Sequence, residues 1–283
     1  MSYVNFAGVK IYDCFTFFNE LDLLKFRLEY LYEHVEKFVI SEANVTFSGV
    51  KKNFNFLDNK KEFARWMNKI EYIQYKPSIE NFNFDRLPNY DPNYDAWKVE
   101  QGQRDILCQP LVNLDDNSLI IVTDLDEIWN PTTIRNLEPQ EFNAARLEMN
   151  FYYYYMNCKG VGDTNKTWMF PFCITPSFME AEKNEGFHKF RNEKGMYAIA
   201  NAGWHFSYLG GAQSIIKKIE SFSHQEYNTK EITDVSRIEK YVELGLDPFD
   251  RSDHKWEFIS TDAFPTELLV LMEKYPKFLK AIS

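Results

Sequence analysis

The sequence predicts an α/β fold built on a mixed sheet flanked by helices. Three observations support it: the chain opens strand, helix, strand; an apolar run at Leu119–Val122 reads as a further buried strand; and aromatic-rich strands alternate with helices beyond it. The first strand covers residues 9–18, Val-Lys-Ile-Tyr-Asp-Cys-Phe-Thr-Phe-Phe, which are β-branched and aromatic. Asn19 reads as an N-cap for a helix over 20–34, where Leu23, Leu24, Leu28 and Leu31 recur at helical spacing. Residues 37–41 form a short buried strand, and a strand–helix–strand order predicts parallel pairing. A polar loop over 45–60, a short helix over 63–69 and a third strand over 70–75 follow. The prolines and asparagines of 76–95 mark a long surface loop, a kind of segment that often carries function. Residues 97–112 read as a helix and 118–123 as a buried strand; 144–157 and 168–175 read as longer strands, and 212–222 and 266–282 as helices. Without a convincing linker, residues 1–283 are expected to form one domain.

Composition excludes several classes. A chain of 283 residues that is 45% hydrophobic is neither disordered nor a small disulfide-stapled scaffold. Its formal charge of −10 argues against a surface made to bind nucleic acid or an anionic bilayer, and favours a small or polar partner. The expectation is a soluble, cytoplasmic protein with no integral membrane segment. Cys14, Cys108, Cys158 and Cys173 form no CxxC pair, so buried reduced thiols are expected. Aromatic residues make up 17% of the chain, and the run Phe151-Tyr-Tyr-Tyr-Tyr-Met156 is either a sugar-binding platform or a buried strand.

The sharpest motif is Thr123-Asp-Leu-Asp-Glu-Ile128, directly after the buried strand. Strand side chains alternate with period two, so Asp124 and Asp126 project to one side while Leu125 turns inward. Two carboxylates at the carboxyl end of a buried strand lie where α/β sheets bind ligands. Their repulsion is commonly relieved by a divalent cation, and hard oxygen ligands select Mn²⁺ or Mg²⁺. This pattern suits a nucleotide-sugar transferase, whose metal bridges a diphosphate, or a phosphohydrolase with an aspartyl nucleophile. A lectin-like module with Ca²⁺ at the same turn is a third reading. Downstream, Gly203-Trp-His-Phe-Ser-Tyr-Leu-Gly-Gly211 precedes a helix. There Gly210 and Gly211 leave amides free for a phosphate, Lys217 and Lys218 add positive charge, and His205 offers a nitrogen ligand.

Several segments together resemble glycosyltransferase family 17. They are residues 11–24, Phe38-Val-Ile-Ser-Glu-Ala-Asn-Val-Thr-Phe-Ser-Gly49, Glu100-Gln-Gly-Gln-Arg-Asp105, the 123–128 motif and the 203–211 segment, in the family's order. The resemblance implies a nucleotide-diphospho-sugar transferase fold of the A type, with a Rossmann-like mixed sheet, residues 1–130 forming its nucleotide-binding half and 131–283 its acceptor-side half. It also implies a UDP-sugar donor, UDP-N-acetylglucosamine, inverting transfer to an oligosaccharide or glycan acceptor, and Mn²⁺ or Mg²⁺ held by Asp124, Asp126 and His205. Glu42 and Asn44 match a Glu-x-Asn near the nucleotide, and Arg104 matches a helical Gln-Arg that meets a phosphate or the motif's own carboxylates. Glu226 is the first candidate for the catalytic base and Glu127 the second. Trp129 stands where the family often has Pro.

Overall fold

The protein is described by a computed structural model covering residues 8–139, 142–182 and 185–281. In chain order the first half contains β1 (Lys10–Phe17), α1 (Leu21–Leu31), β2 (Lys37–Ala43), α2 (Asn55–Asp58), β3 (Ile70–Tyr75), α3 (Asp95–Asp105) and β4 (Ser118–Asp124). The second half adds β5 (Glu127–Trp129), α4 (Pro131–Ile134), β6 (Ala144–Tyr153), β7 (Cys158–Gly160), β8 (Thr167–Trp168), β9 (Phe172–Ile174), α5 (Pro176–Ala181) and α6 (Phe187–Asn192). It closes with β10 (Tyr197–Ser207), α7 (Gly211–Ser221), α8 (Val235–Leu244), β11 (Trp256–Phe258) and α9 (Thr266–Met272).

The expected parallel core is present. β2 and β4 pair in parallel with the two edges of β1, and β3 pairs in parallel with β2, giving the order β3-β2-β1-β4. All but the last residue of β4 are buried, as in a strand covered on both faces. Antiparallel β9 then joins β4 to β6, and β10 lies parallel to β6 and antiparallel to β5. One mixed sheet therefore crosses the boundary expected near residue 130. The carboxyl ends of β1, β2 and β4 all open on the same edge, which positions the acidic motif.

Several expected elements differ, each for a local reason. Asn19 does not cap α1: Glu20 takes the N-cap position with no side-chain cap bond, and its own carboxylate accepts from the Asn19 amide. Residues 60–69 wind as a 3-10 rather than an α-helix, and the 45–60 loop contains α2. α3 gives way to a 3-10 turn at Ile106, short of Pro110, and α9 ends at Met272, short of Pro276. β6 stops at Tyr153 because Tyr154 adopts a φ of 67°, and Pro171 separates β8 from β9. No element was expected at β5, α6, α8 or any part of β10.

The main core packs α1 and α9 with Phe15, Phe17, Phe38 and Ile121 of the sheet, and a second cluster lies beneath α7 and α8. In the aromatic run, Tyr152 and Tyr154 are core residues, the Tyr154 hydroxyl donating to the Leu246 carbonyl. All four cysteines are free, with Cys108 only half-buried. Among the described residues no helix is long and apolar enough to cross a membrane.

Candidate active site

A cleft of about 710 Å³ opens at the carboxyl edge of the parallel strands. Its floor is made by Thr16 and Phe17 at the end of β1, by Asp124 at the end of β4 and by Asp126 just beyond it. Phe151, Tyr153, Trp168 and Phe170 form an aromatic wall, and Lys218 and Arg251 add positive charge. Tyr90 and Pro92 of the long loop also reach the cleft. This is the sheet edge at which α/β folds hold ligands.

The acidic turn is held from beneath by a residue that carried no signal in the sequence. Arg27, on the buried face of α1, donates from Nη1 to the carbonyls of Asp124, Leu125 and Glu127 at 3.0, 3.1 and 2.8 Å. Its other nitrogens grip Asp13 at 2.9 and 2.5 Å and the Thr123 hydroxyl at 2.7 Å. Both members of the Arg27–Asp13 pair are fully buried. A guanidinium, with five donors in a fixed fork, can meet this many acceptors at once.

The carboxylates above it are each paired with a cation. Asp124 accepts from Arg104 Nη1 at 2.7 Å, Arg191 Nη2 at 2.5 Å and the Thr16 hydroxyl at 3.0 Å. Asp126 accepts from Lys218 Nζ at 2.6 Å through Oδ2, while its Oδ1 faces His205 Nε2 at 3.4 Å. Burial opposes ionisation of both, yet Arg104 and Arg191 at Asp124, and Lys218 and His205 at Asp126, hold each carboxyl well below the usual range. Burial likewise opposes the charge on Lys218, and Asp126 outweighs it, raising the ammonium above its ordinary value.

Glu127 does not face the cleft. Fully buried, it accepts from the Asp124 amide at 2.6 Å, Trp168 Nε1 at 2.6 Å and both terminal nitrogens of Arg191. Both oxygens are occupied, so Glu127 braces the turn instead of meeting a substrate. Glu226 also stays off the cleft wall, its Oε1 at 2.8 Å from Nδ1 of His224, which does line it.

The other expected residues separate in the same way. Glu42 is buried beneath the cleft, accepting from Lys52 Nζ, the Asn55 and Phe56 amides and the Tyr72 hydroxyl. Asn44 pairs through its backbone with Tyr75 and Lys52, and its neighbours Val45, Thr46 and Phe47 line the cleft in its place. Gly210 and Gly211 start α7 with φ of 100° and 80° but do not line the cleft. Lys217 is exposed on the outer face of α7 while Lys218 enters the cleft. Consecutive helical residues are about 100° apart, so only one of the two lysines can face inward. Arg104 meets Asp124, one of the two partners left open by the sequence. Arg191 was missed altogether, since it lies on a six-residue helix whose only pattern is Phe187 and Phe190.

Among the described residues no group of three or more His, Cys, Asp or Glu side chains could hold a metal ion. A two-donor arrangement is present: Asp126 Oδ1 and His205 Nε2 stand 3.4 Å apart. Adjacent ligands of a small hard cation with bonds of about 2.1 Å lie roughly 3 Å apart, so the pair matches one edge of a coordination sphere. His205 Nδ1 is buried without a partner, and the ring is stacked parallel on Phe151 at 4.7 Å, so Nε2 is the nitrogen presented to Asp126. Mg²⁺-type sites often take only one or two protein donors, the rest being substrate phosphate and water. The residues fit such a site through Asp126 and His205, whereas both oxygens of Asp124 already accept from arginines and Oδ1 also from Thr16.

No curated protein matches the chain. The sequence model of glycosyltransferase family 17 matches residues 4–274, a span that takes in β1, the acidic turn, α6 and β10. The chain belongs to glycosyltransferase family 17.

Proposed function

We propose that this glycosyltransferase moves N-acetylglucosamine from UDP-N-acetylglucosamine to a hydroxyl of a glycan acceptor, inverting the anomeric centre to give a β linkage. The observation that carries the reading is the Asp126–His205–Lys218 constellation at the carboxyl end of β4, in a family of sugar transferases. The β3-β2-β1-β4 order, with antiparallel β9 between β4 and β6, supports an A-type nucleotide-sugar fold. The nucleotide lies against the ends of β1 and β2, at Thr16, Phe18 and Val45–Phe47, and the diphosphate lies beside Asp126 and Lys218. Asp126 and His205 would hold Mn²⁺ or Mg²⁺, which when bound neutralises charge developing on the departing diphosphate. Lys218 adds a fixed positive charge at the same place, and Arg104 and Arg191 hold Asp124 ionised and immobile. Phe151, Tyr153, Trp168 and Phe170 provide apolar faces for sugar rings.

The phosphohydrolase reading requires a carboxylate oxygen free to attack phosphorus. Both oxygens of Asp124 carry guanidinium donors, and the family assignment supports transfer over hydrolysis or lectin-like binding. The test is release of UDP from UDP-N-acetylglucosamine with Mn²⁺ present. Asp126→Ala should lower it by roughly 100-fold or more in a variant that still unfolds cooperatively, its urea midpoint reduced by the loss of the Lys218 ion pair. Full activity in that variant would refute the site.

A further inference from the structure

Four of the five histidines, His188, His205, His224 and His254, line the cleft. One is held as general bases are held. The Asp105 carboxylate accepts from the His188 backbone amide through Oδ1 at 2.9 Å and stands 2.7 Å from the ring Nδ1 through Oδ2. This two-point grip fixes the ring and leaves Nε2, which makes no hydrogen bond among the described residues, on a side chain that is 37% exposed. A glycine makes the approach possible: a Cβ on Gly186 would lie 2.2 Å from the Asp105 carboxyl carbon. The same short helix, α6, carries Arg191 one turn on, and Arg191 is bonded to both Asp124 and Glu127. His188 is thereby tied to the acidic turn through one rigid element.

The other candidates are less suited. Asp124 and Asp126 are ion-paired, Glu127 is buried, and Glu100 is held by the Ser223 hydroxyl and Arg104. His224 has a carboxylate partner in Glu226, but that carboxylate accepts from the ring alone and not also from the His224 backbone amide, and His254 Nδ1 has no hydrogen-bond partner.

We propose that His188 is the catalytic base and Asp105 its positioning residue, an inference that rests on the transferase reading above. His188 Nε2 takes the proton from the acceptor hydroxyl as its oxygen bonds to the anomeric carbon. The bond from that carbon to the diphosphate oxygen breaks, and its electron pair leaves with UDP. Asp105 fixes the tautomer that leaves Nε2 unprotonated and balances the imidazolium that forms, the role a carboxylate plays behind histidine in hydrolytic triads.

The experiment measures UDP release from UDP-N-acetylglucosamine with Mn²⁺, water serving as acceptor, in wild type, His188→Ala, His188→Gln and Asp105→Asn. UDP affinity by calorimetry and the urea midpoint are followed alongside. The expected result is a fall in kcat of roughly 100-fold or more in both His188 variants. UDP affinity should stay within twofold, Asp105→Asn should lower kcat without changing donor KM, and added imidazoles should restore His188→Ala at rates rising with their pKa. A kcat within threefold of wild type in His188→Gln, or rescue independent of imidazole basicity, would overturn the assignment while leaving the transferase reading in place. A wild type that binds UDP yet never releases it from any UDP-sugar would overturn both.

Discussion

Replacing Arg27 with Met removes the anchor of the acidic turn while keeping an unbranched apolar stem in the same volume. The loss can be sized from the contacts. Arg27 makes two bonds to the buried Asp13 carboxylate, three to backbone carbonyls of residues 124–127 and one to Thr123. Without it Asp13 keeps only the Trp129 indole, at 3.0 Å, as a side-chain donor among the described residues, and three carbonyls lose their guanidinium donor. Removing one member of a buried ion pair costs about 3–5 kcal/mol, a large share of the roughly 5–15 kcal/mol that holds a domain folded. Urea unfolding at neutral pH, followed by tryptophan fluorescence, reads this directly. Arg27→Met should lose about 3–5 kcal/mol, and Arg27→Met with Asp13→Leu should lose less, because the stranded charge is then gone. A single-variant loss below about 1 kcal/mol would refute the reasoning. A double variant no more stable than the single would shift the weight from the ion pair to the carbonyl bonds.

Exchanging each lysine of the α7 pair for Met separates the one in the cleft from the one outside: Lys218→Met should lower donor turnover about 10- to 100-fold, matching a lost charged hydrogen bond of about 1.5–3 kcal/mol. Lys217→Met should stay within twofold, and equal losses would contradict the geometry. The depressed carboxyls of Asp124 and Asp126 contribute stability above the ordinary carboxylate value near 4, lost as pH falls through and below it. Unfolding midpoints measured from pH 7 down to 3 should therefore fall less steeply in Asp126→Asn than in wild type. For Lys218, raised in the fold, the sign is opposite: its stabilisation is present below the ordinary lysine value and is lost as pH rises beyond it. Chelation of divalent cations should abolish UDP release yet leave the urea midpoint unmoved.

The first half of the fold was legible because its signals are local. Apolar runs and turn residues mark β1, β2, β3 and β4 to within two residues, and the buried run before Asp124 made the acidic turn stand out. The second half was less legible. β10 pairs with β6 across a register shift between Ile199 and Gly203, so its alternation is broken in the sequence. The short α6 lacks both a side-chain N-cap bond and a long apolar stripe; Asp105, far away in sequence, supplies its first-turn contact. In the aromatic run the two readings left open by the sequence coexist: Phe151 and Tyr153 are buried yet line the cleft, while Tyr152 and Tyr154 are buried away from it.

What the sequence hid most thoroughly was the charge balance of the site. Asp124, Asp126 and Glu127 look in one dimension like three uncompensated carboxylates that need a divalent ion to coexist. In three dimensions Arg104, Arg191 and Lys218 meet them one for one, while Arg27 is neutralised separately by Asp13. Arg191 and Lys218 come from 67 and 92 residues away, so no spacing rule could reveal them. Repulsion therefore does not require a metal for the turn to fold; under the proposed function a metal would answer only the negative charge that a diphosphate adds beside Asp126. On that proposal folding does not depend on the metal, so chelation should stop turnover and leave the stability of the donor-free protein unchanged.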